Sequence, residues 1–253
     1  MSLRSSLKQM LERVPTYQHV RARLRFAKVG YAQFGEDAHL RGFYDRLAHD
    51  RGIVVDGGLI VDVGAFHPYA LSNTYGYYLQ GWRCVNIDPT PGSKRLFDQV
   101  RPRDTNLEIA IAEVEGEATF YLFGAPSVWN TLDASAARHA SEITGQTPAK
   151  QSVPARRLES VLDEYRAGKP FEILVIDAEG LDIEILRSND FDRHRPRVIL
   201  IEVHHLTAET LHTHAVHAHL SALGYRLHSW INPNLLFVRE DSWLGDDAPK
   251  PCA

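Results

Sequence analysis

The chain has almost no cysteine: Cys84 and Cys252 are the only two among 253 residues. One falls in a strand-like run and the other in the tail, which excludes a disulfide framework and makes a reducing, cytoplasmic setting the expectation. Long hydrophobic runs are missing as well. Nothing approaches the ~20 apolar residues that cross a bilayer, and the N-terminus lacks the continuous apolar core of a secretory signal. The net charge of −4 shows no basic excess of the kind that marks a nucleic-acid binder. Also absent is the G-x-G-x-x-G pattern. The glycine after the first strand-like run stands in Gly64-Ala-Phe-His-Pro68, so no glycine-rich loop cradles a pyrophosphate there.

What is present reads as one α/β domain with an N-terminal addition. Residues 1–28 carry Arg4, Lys8, Arg13, Arg21, Arg23, Arg25 and Lys28 against Glu12 alone, with Leu3, Leu7, Met10, Leu11 and Val14 at helical spacing. That arm is expected to lie as a helix on the domain surface; its alternative is a contact with anionic lipid or a partner protein. Residues 1–50 are taken as a helical extension covering the cofactor pocket and 51–253 as the main domain. Within the extension, Leu40, Phe43, Tyr44 and Leu47 form a helix stopped at Gly52.

Strands and helices then alternate. Strand-like runs end in carboxylates at Leu59–Val63 (Asp62), Trp82–Asp88, Phe171–Asp177 and Arg197–Val203 (Glu202). Residues 73–80, 93–100, 153–165 and 207–223 read as helices. Thr105–Ala112 alternates like a further strand, which Gly116–Phe123 would meet through a Glu-Gly turn. Residues 124–152 are small, polar and weakly periodic, a lid or an insertion. Tyr225–Trp230 and Leu235–Arg239 flank Asn232-Pro-Asn234, a hairpin signal. The pattern predicts a mostly parallel sheet with one antiparallel strand near the C-terminus.

In such a sheet ligands bind beyond the carboxyl ends of the strands. Asp88 is placed to accept two hydrogen bonds from a ribose diol, and Gly64 to let the backbone approach a ligand. The competing reading is that Asp62 only caps the turn after it and Asp88 the helix after Pro89. Together with the missing glycine fingerprint they favour a nucleoside without phosphates, such as S-adenosylmethionine, over a dinucleotide.

The ordered set Gln33-Phe-Gly-Glu-Asp37, Val61-Asp-Val-Gly-Ala65, His67-Pro68, Ser72-Asn-Thr74, Gly81-Trp82, Ile87-Asp-Pro89, Ile176-Asp-Ala-Glu-Gly180 and Ile201-Glu-Val203 resembles the FkbM family of S-adenosylmethionine-dependent methyltransferases from about residue 31 to 239. Two positions depart from the family pattern: Pro68 replaces a second glycine, and Asp88 stands where glutamate is commoner. The resemblance implies a Rossmann-like class I methyltransferase sheet with helices on both faces. It further implies that Asp62, Gly64 and Ala65 line the methionine end of the cofactor, Asp88 its ribose, and Ile109 and Ala110 its adenine. Gln33 and Glu36 would cover the pocket, and Asp177 would face the transferring methyl or the acceptor.

The activity expected is O-methylation of a hydroxyl on a sugar, glycan or related natural product. Methyl transfer to a hydroxyl needs alignment and removal of a proton. Asp177, Glu179, Glu202 and His204 are the catalytic candidates, with His67, Asn73 and His205 placed to orient the acceptor. Asp177 and Glu202 would also suit a divalent cation such as Mg that acidifies the hydroxyl. His212, His214, His217 and His219 lack an i,i+4 pair and a carboxylate or cysteine to complete a metal set, and read as a solvated helix face. Two alternatives stand beside this reading: a catalytically silent nucleoside- or glycan-binding domain, and a nicotinamide-dependent oxidoreductase.

Overall fold

The computed structural model describes residues 29–244, together with 14–16 and 18. The basic arm otherwise lies outside the described residues, as does Cys252. A seven-stranded sheet organises the domain, in the order β3-β2-β1-β7-β8-β10-β9. Its strands are β1 (Leu59–Val63), β2 (Arg83–Ile87), β3 (Thr105–Leu107), β7 (Phe171–Ile176), β8 (Val198–Glu202), β9 (Tyr225–Ile231) and β10 (Asn234–Arg239). Strands β3, β2, β1, β7 and β8 run parallel, and β10 is antiparallel to both neighbours. The expected mostly parallel sheet with one antiparallel strand is therefore present.

The central strands β1, β7 and β8 are buried along their whole length because both sheet faces are covered, and apart from Asp62, Glu172 and Glu202 they are apolar. Alternate residues of β1 show this directly. Leu59, Val61 and Val63 pack with Leu158, Val161 and Leu162 of one helix (Leu158–Tyr165) and Val216 and Leu220 of another (Ala215–Ala222). Ile60 faces the opposite side, with Leu40, Phe43 and Leu47 of α1 (Glu36–Arg51). The helix α1 thus packs into the core on that side of the sheet. Compact units divide between Gly30 and Tyr31.

Three expectations are corrected. The run Thr105–Ala112 breaks into β3 on the main sheet and β4 (Ala110–Ile111) in a separate small one. In that sheet β5 (Gly116–Leu122) is antiparallel to β6 (Ala149–Arg156), which also pairs parallel with β4. The Glu115-Gly116 turn therefore does not make β4 and β5 partners, because β6 inserts between them. Secondly, the helix expected from Val153 starts only at Leu158, since Val153–Arg156 belongs to β6.

Thirdly, the helix expected over 207–223 begins at Ala215, after a 3₁₀ turn at Leu211–Thr213. Thr207 and Thr210 hydrogen-bond each other's backbone N–H through their hydroxyls, an arrangement that competes with helix hydrogen bonding. No helix among the described residues is long and apolar enough to cross a membrane.

Candidate functional site

Strand register brings the carboxylates together. Val63 pairs with Ile87 on one side and Ile176 on the other, and Ile176 pairs with Ile201. The next residue of each parallel strand therefore falls in one row: Asp88, Gly64, Asp177, Glu202. These residues, with Asp62, line a cavity of about 400 Å³ at the carboxyl edge of the sheet, within the usual range for a small-molecule site. Gln33, Ala65, Asn73, Ile109, Ala110, Glu179 and His204 also line it.

Gly64 is required by the sheet rather than by a ligand. It has φ +81°, and a Cβ there would lie 1.7 Å from the backbone oxygen of Asp177. The reason expected for this glycine is corrected accordingly. Three other lining residues, Phe66, Leu71 and Glu179, hold left-handed backbone (φ 53°, 56° and 51°) without being glycine. Such strain gathers where surrounding structure overdetermines a site.

Asp88 joins two loops. The backbone N–H of Phe66 donates to its Oδ2 and that of Thr90 to its Oδ1, both at 2.8 Å. Burial raises its pKa, and the hydrogen bonds from Thr90 and Phe66 oppose that rise. Asp88 thus closes the turn to Thr90, but the helix Ser93–Val100 takes no side-chain cap from it, which corrects the expected helix-capping role. Each oxygen keeps a second lone pair, and the carboxylate still lines the cavity. Asp62 is buried and accepts the Thr74 hydroxyl at 2.9 Å. Desolvation lifts its pKa to about 6.

At the other end, Asp177, Glu202, His204 and Glu179 form one cluster. The Asp177 and Glu202 carboxyls adjoin each other at neighbouring strand ends, and each shifts the titration of the other. Burial, then the charge of Glu202, pushes Asp177 well above the usual carboxylate range. Burial also works against charged Glu202, but contacts with His204 and Asp177 outweigh it and hold its pKa below normal. The His204 Nε2 lies 2.9 Å from Glu202 Oε2 and 3.8 Å from Glu179 Oε2. Those two carboxylates raise the imidazole to about 10. At neutral pH His204 is a cation and has no free lone pair to take a proton, so it is corrected from candidate base to charge partner.

Among the described residues, Glu179, Glu202 and His204 are also the one group of His, Cys, Asp or Glu close enough to share a metal ion, with ligand atoms within 4.8 Å. Asp177 is not in that group, although its carboxyl adjoins that of Glu202. The histidines after Leu211 do not converge. His217 packs edge-on to Phe237 and His219 to Phe191.

Three expected residues leave the cavity wall. Glu36 is buried in structure, accepting hydrogen bonds from Asn234 Nδ2 and the Phe34 N–H. His67 turns Nδ1 back onto its own loop, where the Ala70 N–H donates to it at 3.2 Å. His205 is exposed and lies off the wall. Asn73 remains on the wall with Oδ1 unpartnered.

The wall opposite the strands comes from a stretch expected only as a lid or insertion. Residues 127–132 line the cavity, after which α4 (Ala134–Thr144) leads into β6. The stretch is tied down at two adjacent residues, to loops on either side: Asn130 Nδ2 donates to Thr90 Oγ1 at 3.3 Å, and Thr131 Oγ1 donates to the Glu179 carbonyl at 3.0 Å. The sequence signal for it was Trp129, an isolated large side chain in a small, polar segment.

A family model described as the Methyltransferase FkbM domain matches residues 62–227. The chain belongs to the FkbM methyltransferase family. No curated protein and no solved structure matches it. The FkbM span opens on Asp62 and contains the whole carboxylate row, along with the 127–132 wall. Gln33 and α1 precede it.

Proposed function

We propose that this FkbM-domain protein transfers a methyl group from S-adenosylmethionine to a hydroxyl oxygen of a sugar or related polyhydroxylated acceptor. The observation that carries the reading is the charge of the cavity. Among the described residues five acids line it (Asp62, Asp88, Asp177, Glu179, Glu202) and no lysine or arginine does. A methyl donor bearing a sulfonium and an ammonium is attracted to such a wall, whereas the phosphates of a nicotinamide dinucleotide are repelled.

The residues present fit that donor. Asp88, held by two backbone N–H groups, offers its outward lone pairs to a vicinal diol. Asp62 faces the cationic amino-acid end, and Ile109 and Ala110 supply an apolar wall for adenine. S-adenosylmethionine supplies an electrophilic methyl on a cationic sulfur.

The acceptor hydroxyl must lose a proton as its oxygen forms the new C–O bond and the C–S bond breaks. Of these two carboxyls Asp177, raised by burial and by the charge of Glu202, holds its proton the more tightly in the free protein. A cation bound beside Asp177 favours release of that proton, which leaves the pair as a base for the hydroxyl. His204 anchors Glu202 and Glu179 and takes no proton.

Titration calorimetry with S-adenosylhomocysteine tests the cofactor assignment. Wild type should bind, and Asp88→Ala should weaken binding at least tenfold; unchanged affinity in the variant removes the ribose role of Asp88.

A further inference from the structure

Arg101 follows α3 (Ser93–Val100) and is fully buried, although it touches nothing in the cavity. A buried guanidinium has to be compensated. Asp104 does this, accepting from Arg101 Nε at 2.7 Å, and Asp104 is in turn fixed by the Cys84 N–H at 3.0 Å. The rings of Tyr78 and Phe97 flank the guanidinium, 5.3 and 5.7 Å from its centre. Its remaining bond leads towards the site: Arg101 Nη1 donates to Thr74 Oγ1 at 3.0 Å. Thr74 caps α2 (Tyr75–Leu79), and its own hydroxyl reaches Asp62 Oδ2 at 2.9 Å.

The direction of this chain is set by its chemistry. Arginine has only donors, so the Thr74 oxygen must accept from Arg101. A hydroxyl has a single hydrogen, and that hydrogen is then left for Asp62. The charged groups facing Asp62 are Arg101, Asp88 and Asp104, and only the first is a cation.

We propose that Arg101 is a positioning residue for the methyl-donor site: acting through Thr74, it orients Asp62 and keeps it an anion that receives the cationic end of the ligand. This rests on the function proposed above. Arg101, Thr74 and Asp62 are spread over 40 positions and three elements, and the buried relay joins them. Asp62, lifted to about 6 with Arg101 opposing the rise, becomes a poor anion near neutral pH if the relay is cut.

The test uses the full chain carrying Thr74→Val, which removes the hydroxyl at nearly constant volume, Thr74→Ser, which restores it, and Arg101→Lys. S-adenosylhomocysteine affinity is measured from pH 5 to 8. In parallel, ligand-free stability in urea is followed over the same range against Asp62→Asn. Thr74→Val and Arg101→Lys should weaken binding about tenfold at pH 7 and raise the pH at which binding sets in. Thr74→Ser should recover both.

Without ligand, the pH dependence of stability that Asp62→Asn abolishes should move upward in Thr74→Val and Arg101→Lys. Folded variants with wild-type affinity and an unmoved pH profile overturn the proposal. If even the wild type fails to bind while the ligand-free profile still moves, the coupling stands and the methyl-donor reading falls. Should Arg101→Lys not fold, Thr74→Val against Thr74→Ser decides alone.

Discussion

Single residues set the chemistry of the cavity, and two of them make stability fall as pH rises, each in its own window. Asp62 has an ordinary value of 3.8 raised to about 6. Between those values the folded state binds more protons than the unfolded one, so stability falls as pH rises through the window and stays lower above it. The two-unit difference corresponds to about 3 kcal/mol at most. Asp62→Asn should therefore melt higher than wild type above pH 6, by an amount that disappears near pH 4, and should lose S-adenosylhomocysteine binding. A variant less stable at pH 7.5 contradicts this.

His204 gives the same slope in a higher window, but there it is the charged form that the fold stabilises. Its ordinary 6.5 is raised to about 10, so its ion pairs stabilise fully below pH 6.5, fade through that interval and are gone above about 10. His204→Gln should cost stability at pH 6.5 and nothing at pH 10.5, read by urea denaturation at each pH. Gly64→Ala combines a positive φ with a backbone collision and should cost on the order of 3–5 kcal/mol. A loss under 1 kcal/mol would show that β1 can move away from Asp177.

At the scale of elements, the site is a row of strand ends closed by one irregular segment. The strand ends were legible because a parallel strand buried on both faces reads as an apolar run, and Asp62, Asp88, Asp177 and Glu202 each interrupt or end such a run. The wall at 127–132 was not legible, because its order comes from Asn130. That side chain accepts from the Phe123 N–H at 2.8 Å and donates to the Gly124 carbonyl at 2.8 Å, contacts no periodicity announces.

Glu36 and His67 failed as site residues for a related reason. Their motifs lie beside the cavity, but local backbone N–H groups and Asn234 take up their polar atoms. Thr74 was visible only as part of a motif; that it links Arg101 to Asp62 depends on packing between distant segments. Asn130→Ala should speed amide exchange at Phe123 and Gly124 and weaken cofactor binding, with a global stability loss of roughly 1–2 kcal/mol. Protection unchanged at both amides would mean the segment is held by something other than Asn130.

The whole molecule places one anionic cavity at the carboxyl edge of a parallel sheet, with α1 and the C-terminal helices enclosing the core on either side. The composition already excluded a glycine-rich phosphate cradle, and the fold adds the stronger reason: among the described residues nothing cationic but His204 reaches the cavity wall. Thermal shift should show stabilisation by S-adenosylhomocysteine and none by NAD or NADP at equal concentration.

The most direct test of methyl transfer is mass spectrometry of products formed by purified protein from deuteriomethyl-labelled S-adenosylmethionine and a panel of glycosides. The account predicts label on an ether oxygen of a sugar, abolished by Asp177→Asn. Label found only on an acid or amine, or no transfer to any hydroxyl across the panel, would contradict it.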